Sequence, residues 1–373
     1  MPNQIYLDYN ASTPVAPEVI EAMRPFWTAH HGNPSSGHWA GRPAKEAVEH
    51  ARVLAAGLIG AAADEVVFTS GGSESNNHAI KGVFFANSKR GDHVITSAIE
   101  HPAVLIPCRF LESLGATLTV LPVDRLGRVD PDDVRRAMTP RTILVTIMHA
   151  NNEVGTIQPI AEIARIAREH GALFHTDAAQ SAGKIPVNVE VLGVDLLSIA
   201  GHKVYATKGV GALYVRRGTR IEPLMHGAGH ESGRRAGTEN VILNVGLGAA
   251  CRLARDRNDP AAVQRLRDRF WRGLQEAFGD RISLNGHPTA RLPNTLNVNF
   301  VGRVGAEILD GMPEIAASTG SACHAGSVEL SPVLSAMKVD PSHGMGAVRF
   351  SLGRETTAEE IDATVCMLRD RLG

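Results

Sequence analysis

Up to about residue 215 this chain alternates short runs rich in β-branched and apolar residues with stretches of helical spacing, and that alternation narrows the folds open to it. The β-like runs cover residues 65–70, 93–97, 117–122, 143–148, 172–176, 195–199 and 211–215. Between two of them, Ile160, Ile163, Ala164 and Ala167 fall on one helical face. Strands separated by helices favour a mostly parallel sheet covered by helices, an α/β fold. After about residue 240 the character changes. Two long helical patterns, 241–257 and 263–278, precede a strand at 295–300, a Gly/Ser/Ala-rich stretch at 316–326 and a strand–helix pair at 347–352 and 358–372. This reads as a smaller α/β C-terminal domain, with a boundary near residue 258.

Composition removes several function classes. The chain has 373 residues, enough for one large or two unequal domains. A net charge of −1 gives no basic field for nucleic acid, and 43% hydrophobic content argues against disorder. No run approaches the roughly 20 apolar residues of a membrane helix. The opening residues MPNQIYLDYN lack a basic stretch followed by an apolar one, so no signal peptide is expected. Cys108, Cys251, Cys323 and Cys366 are scattered without a C-x-x-C pair, which supports neither zinc nor a disulfide framework. A cytoplasmic enzyme without a metal is the expectation.

In open parallel sheets ligands gather at the carboxyl ends of strands, and four such ends carry polar residues here. Ser70-Gly71-Gly72-Ser73-Glu74-Ser75 joins a strand to a helix. Taken alone it fits a phosphate cradle at a helix N-terminus and an ordinary serine-capped glycine turn equally well. The other ends are Asn151-Asn152-Glu153, His175-Thr176-Asp177-Ala178-Ala179-Gln180 and Ser198-Ile199-Ala200-Gly201-His202-Lys203. Asp177 alone could be a helix cap and Lys203 a solvated amine. Together they fit pyridoxal 5'-phosphate (PLP), which needs a lysine, a carboxylate against its ring nitrogen and a phosphate cradle.

The segments TSGGSESNN, IMHANNEVG, HTDAAQSAGK, GHKVYATKGVGALYVRRG, RRAGTEN and STGSACHAG, in this order, resemble the group I (NifS/IscS-like) cysteine desulfurases. The likeness runs from Tyr6-Leu7-Asp8-Tyr9-Asn10 to Arg349 and beyond. It implies a PLP-dependent transferase of fold type I, with a large domain at 16–257 and a small domain made of 1–15 and 258–373. It also implies roles. Lys203 would bind the cofactor covalently and move protons, and Asp177 would pair with the pyridine nitrogen. Gln180, with Asn152, would bond the phenolic oxygen. His101 would stack on the ring, and Gly72, Ser73 and His202 would hold the phosphate. Thr238 would reach the phosphate of a second subunit, which implies a homodimer. Arg349 would clamp the substrate carboxylate, a task suited to a planar fork of donors. The substrate would be L-cysteine, and the sulfur would pass to an acceptor protein such as an iron–sulfur scaffold or a thiolation relay. One position departs: many desulfurases place a phosphate-binding serine three residues before the lysine, where this chain has Ala200.

Cys323 lies in Ser318-Thr319-Gly320-Ser321-Ala322-Cys323-His324-Ala325-Gly326, a run of small residues that reads as a mobile loop. A thiol there is accessible as a nucleophile, whereas Cys108, Cys251 and Cys366 are read as small buried apolar residues. A free thiol with a pKa of about 8.5 is only slightly ionised at neutral pH, so the site must take its proton; the substrate amine, His101 and His324 are candidates. The resemblance makes Cys323 the persulfide carrier. Selenocysteine lyase is the alternative activity, favoured by Cys323-His324 and by Ser331-Pro332-Val333-Leu334.

Overall fold

Each β-branched run becomes a strand whose successive side chains feed opposite faces of one sheet. The computed structural model describes residues 4–320 and 329–373. Its strands are β1 (Ile5–Tyr6), β2 (Val66–Thr69), β3 (His93–Ser97), β4 (Thr117–Leu121), β5 (Thr142–Thr146), β6 (Leu173–Asp177), β7 (Leu196–Ala200), β8 (Gly211–Val215), β9 (Ile282–Asn285), β10 (Thr295–Phe300), β11 (Ile315–Ala316) and β12 (Ala347–Ser351). The large sheet has the order β2-β8-β7-β6-β5-β3-β4. β3 to β7 run parallel, while β8 is antiparallel to both neighbours. The expected parallel sheet therefore closes with one reversed strand.

Alternation within the strands builds two cores. Val67, Val94, Leu144, Leu196 and Leu213 face one side, where they pack with Ile80 and Val83 of the helix Gly72–Asn87 and Val104 of the helix Pro102–Glu112. Their neighbours Phe68, Ile95, Val145, Leu197 and Tyr214 face the other. There the helices Arg42–Ile59 and Val241–Arg257 contribute Val48, Ala55, Leu247 and Ala250. Each fully buried aliphatic or aromatic side chain contributes roughly 1.5–3 kcal/mol, so both faces are needed. Strand β4 forms one edge and stays half exposed, while β2 at the other edge is buried.

A third core is separate. The antiparallel sheet β12-β10-β9 is backed by the helices Pro260–Phe278 and Ala358–Leu372 through Phe270, Leu274, Val298, Phe350, Ile361 and Leu368. Phe270 meets Phe350 edge to face at 4.9 Å between centroids. Ile5 and Leu7 join this cluster, and β1 pairs with β11 in parallel. The chain start thus crosses to the C-terminal elements and delivers residues 8–12 to the gap between the two layers. Cys366 corrects an expectation. It is exposed, because Ile361, Thr364 and Leu368 take the inward face of its helix.

Candidate active site

The carboxyl ends of β5, β6 and β7 open into a cavity of about 430 Å³. β6 delivers Asp177, followed by Gln180. β7 ends at Ala200, and the next turn of 3-10 helix presents His202 and Lys203. Asn152 enters from the segment after β5, and His101 from the segment after β3. Gly72 and Ser73 come from the N-terminus of the helix Gly72–Asn87, and Arg349 reaches in from β12 of the smaller sheet. These residues are spread over more than 250 positions of sequence, and strand order is what brings them together.

Each group is held in a defined state. Asp177 Oδ2 accepts from Asn76 Nδ2 at 2.7 Å and its Oδ1 from the Ala179 N–H at 2.9 Å, which fixes the carboxylate plane. Lys203 Nζ donates to the Asn10 carbonyl and, at 2.7 Å, to that of Ala11. Burial pushes the Lys203 amine down to about 8. Arg349 adds to the shift, and Asp8 and Asp177 oppose it. His101 is the N-cap of its helix. Its Nδ1 accepts from the Ala103 N–H at 3.1 Å, so the neutral ring carries its proton on Nε2. Burial holds its pKa below the usual range; Asp177 opposes this shift and Lys203 adds to it. His202 is pushed to about 4 by burial and then by Lys203, and its Nδ1 lies 3.4 Å from Ser12 Oγ.

Arg349 is almost wholly buried. One terminal nitrogen donates to Asp8 Oδ1 at 2.6 Å and the other to the Asn152 carbonyl at 3.1 Å. Its Nε has no partner among the described residues. A buried guanidinium with an unused donor beside a cavity is equipped to take a second anion.

The glycine turn is shaped for close approach. Gly71 has φ +150°, and a Cβ on Gly72 would stand 3.1 Å from the Ala200 methyl. Gly72 and Ser73 at the helix start line the same cavity as Lys203, and the first N–H groups of a helix have no partner within it. An amine of lowered basicity, a fixed carboxylate and an anion cradle in one cavity match the three requirements of PLP.

The aminotransferase class-V family model matches residues 5–364. A cysteine desulfurase IscS of Dictyoglomus turgidum is 52% identical over 372 residues, covering 99% of this chain and 94% of that protein. One from Methanosarcina thermophila is 49% identical over 362 residues, covering 96% and 89%. The chain belongs to the class-V aminotransferases, among the cysteine desulfurases. A solved NifS-like protein superposes with a TM-score of 0.93 at 36% identity over 99% of both chains. A structure described as SspA in complex with cysteine gives a TM-score of 0.84 at 40% identity, covering 93% of this chain and 98% of that one. PLP is the cofactor of this family.

Two expected residues of this desulfurase lie elsewhere. Thr238 lines a separate depression with Ser70, Gly209 and Asn240, so it does not reach the cavity of its own chain. Cys323, with residues 321–326 of the loop expected around it, falls outside the described residues, while Ser318 at the start of that stretch is bridged to Arg349. Cys108 and Cys251 are buried, and burial pushes both thiols up to about 12, which leaves them unreactive.

Sequence reasoning passed over four groups that order the site. Asn76 holds Asp177. Asn10 lends its carbonyl to Lys203. Lys184 donates to Gln180 Oε1 at 2.7 Å. Glu100, buried beneath the turn that carries His101, accepts from Ser97 Oγ at 2.6 Å and from the Met148 N–H. Asn10 and Asn76 stood inside the recognised segments, and an amide inside such a segment was the available signal.

Proposed function

We propose that the chain converts L-cysteine to L-alanine and delivers the sulfur to Cys323 as a persulfide, from which an acceptor protein takes it. The observation that carries this reading is the convergence of Lys203, Asp177 and Arg349 on one cavity in a chain about half identical to cysteine desulfurases. Bound PLP supplies an electron sink that makes the substrate α-proton removable and the Cβ–S bond breakable.

The chain's own residues do the rest. Lys203 binds the cofactor, and its amine, with basicity already lowered, takes and returns the proton at the substrate α-carbon. Asp177, oriented by Asn76, keeps a proton on the cofactor's ring nitrogen. Gln180 and Asn152 face the phenolic oxygen. Gly72, Ser73 and a neutral His202 hold the phosphate. Arg349 binds the substrate carboxylate with its free Nε and with donors now shared with Asp8. His101 stacks on the cofactor ring, with its Nε2 proton available to the departing group. The Cys323 thiolate attacks the substrate sulfur, the Cβ–S bond breaks, and the former Cβ gains a proton. The products are alanine and a Cys323 persulfide.

Several wider features belong to the same reading. The molecule is a homodimer in which Thr238 serves the phosphate of the partner's site; its position away from its own cavity supports this. Residues 16–257 form the large domain, and 1–15 with 258–373 form the small one; the separate core around Phe270 and Phe350 supports the division. Unpaired buried thiols support a reducing, cytoplasmic setting. No helix among the described residues is long and apolar enough to cross a membrane.

Purified holoenzyme given L-cysteine and a reductant should form alanine and sulfide in equal amounts, and selenocysteine measured alongside should not be the sole substrate. Selenide release with no sulfur from cysteine would replace this reading with selenocysteine lyase.

A further inference from the structure

We infer that Lys184 is a positioning residue: it fixes the side-chain amides of Gln180 and Asn10 so that the Gln180 NH2 group, rather than its oxygen, is offered to the cofactor cavity. The inference rests on the reading that Gln180 faces the cofactor's phenolic oxygen, and it goes beyond that reading by naming what chooses the amide's orientation.

An amide can turn over and exchange its oxygen for its NH2, and only its surroundings decide. Lys184 Nζ is a donor to both neighbours: Gln180 Oε1 at 2.7 Å and Asn10 Oδ1 at 2.8 Å. With its oxygen held, Gln180 must turn Nε2 the other way, where one N–H goes to the Asn10 carbonyl at 2.9 Å and the second remains for the cavity that Gln180 lines. Turned over, the amide would set its NH2 against a donor and its oxygen against the Asn10 carbonyl, two repulsive contacts in a buried site. Each buried group left unpaired costs about 1–3 kcal/mol.

Asn10 is locked in the same way. Its Oδ1 also accepts from Asn294 Nδ2 at 3.0 Å, and its Nδ2 donates to Thr295 Oγ1 at 2.9 Å and to the Asn152 carbonyl at 3.1 Å. The Asn10 carbonyl is shared by Gln180 and Lys203. Lys184 therefore ties the lysine that binds the cofactor to the residue facing its phenolic oxygen, through a strut anchored on residues 294 and 295.

Charge fits this role. Burial, with Lys203 and Arg349 nearby, holds Lys184 well below the usual lysine range. In either protonation state Nζ has an N–H for each of the two amide oxygens it meets.

An N–H aimed at the phenolic oxygen favours its ionised form, so the pH at which the visible band of the resting holoenzyme titrates reports on the Gln180 orientation without substrate. Lys184→Met should raise that pH by about one unit, a roughly tenfold change in the proton equilibrium, and lower kcat with little change in KM for cysteine. Lys184→Gln, which keeps a donor, should fall between. Gln180→Met should shift the band in the same direction, and Lys184→Met/Gln180→Met should shift it no further than Gln180→Met alone. An unchanged band in Lys184→Met with full cofactor content, additive shifts in the double variant, or an unchanged band in Gln180→Met overturns the inference. Should Lys184→Met fail to take up cofactor, Lys184→Gln is read in its place, and a wild-type band there together with a shifted band in Gln180→Met overturns the inference. A Lys203→Ala protein that keeps the wild-type band would instead defeat the cofactor assignment beneath it.

Discussion

Arg349 carries two demands at once. It is ion-paired with Asp8 in the free site and must also receive the substrate carboxylate. Truncation to Ala removes a charge-assisted contact worth roughly 1.5–3 kcal/mol, so the KM for cysteine should rise about 10- to 100-fold while PLP stays bound. An unchanged KM in steady-state assays would move the clamp to another residue. Glu100 gives a prediction in pH. Burial, against the donors Ser97 and Met148, pushes its carboxyl from 4.5 up to about 8. In the fold it stays protonated where the unfolded chain has already ionised. Its contribution is thus complete below pH 4.5 and is lost as pH rises toward 8. Glu100→Gln cannot ionise, so its melting temperature should fall less than that of the wild type between pH 5 and pH 8; parallel curves would contradict the assignment. Asp177 and Lys203 were legible in the sequence because strand ends in such sheets carry ligand groups, whereas Arg349, inside β12 of the smaller sheet, was reached only through the family resemblance. Lys184, in a turn, and Asn76, on a helix, were passed over although both lie in the segments that carry the resemblance, since neither residue type names its partner until the other elements are placed.

Strand ends set what the cofactor meets. Alternation in β5, β6 and β7 could be read from β-branched runs, and so could the turns that follow them. The reversal of β8 could not, because an antiparallel neighbour buried on both faces has the same composition as a parallel one. Strand β9 was missed because Ser283 and Asn285 interrupt its apolar pattern, although Asn285 is buried and bonded to Asn297 at 2.8 Å and Asn299 at 2.6 Å. At the end of β7, Ala200 sets its methyl against Gly72, where many relatives are expected to carry a serine hydroxyl. Ala200→Ser should add one bond to the phosphate and slow PLP release severalfold, up to about tenfold if the bond contributes about 1.4 kcal/mol. Release measured by cofactor exchange that is unchanged or faster would show that the helix N-terminus leaves no room for the hydroxyl.

At the scale of the whole molecule, the site is assembled across two layers: Asn10 and Arg349 come with the smaller core, and Asp177 and Lys203 with the larger sheet. The change of pattern after residue 240 does not mark that division, since the helix Val241–Arg257 packs on the larger sheet through Leu247 and Ala250 and the smaller core takes up the helix Pro260–Phe278. The crossing of the chain start into the smaller core was implied only by the resemblance, which put residues 1–15 in the small domain; no local pattern shows it, since β1 is only two residues long and its partner lies more than 300 positions away. If Thr238 serves a partner's phosphate, sedimentation should find a dimer at working concentrations, and Thr238→Ala should weaken PLP retention without disturbing the fold. A fully active monomer would contradict this. The central claim is sulfur transfer to Cys323, and its most direct measurement is mass spectrometry of peptides after a single turnover with L-cysteine. The account predicts one added sulfur on the Cys323 peptide with an equal amount of alanine, and neither product in Lys203→Ala. Sulfur carried by the exposed Cys366 instead, or alanine formed at the wild-type rate by Cys323→Ala, would contradict it.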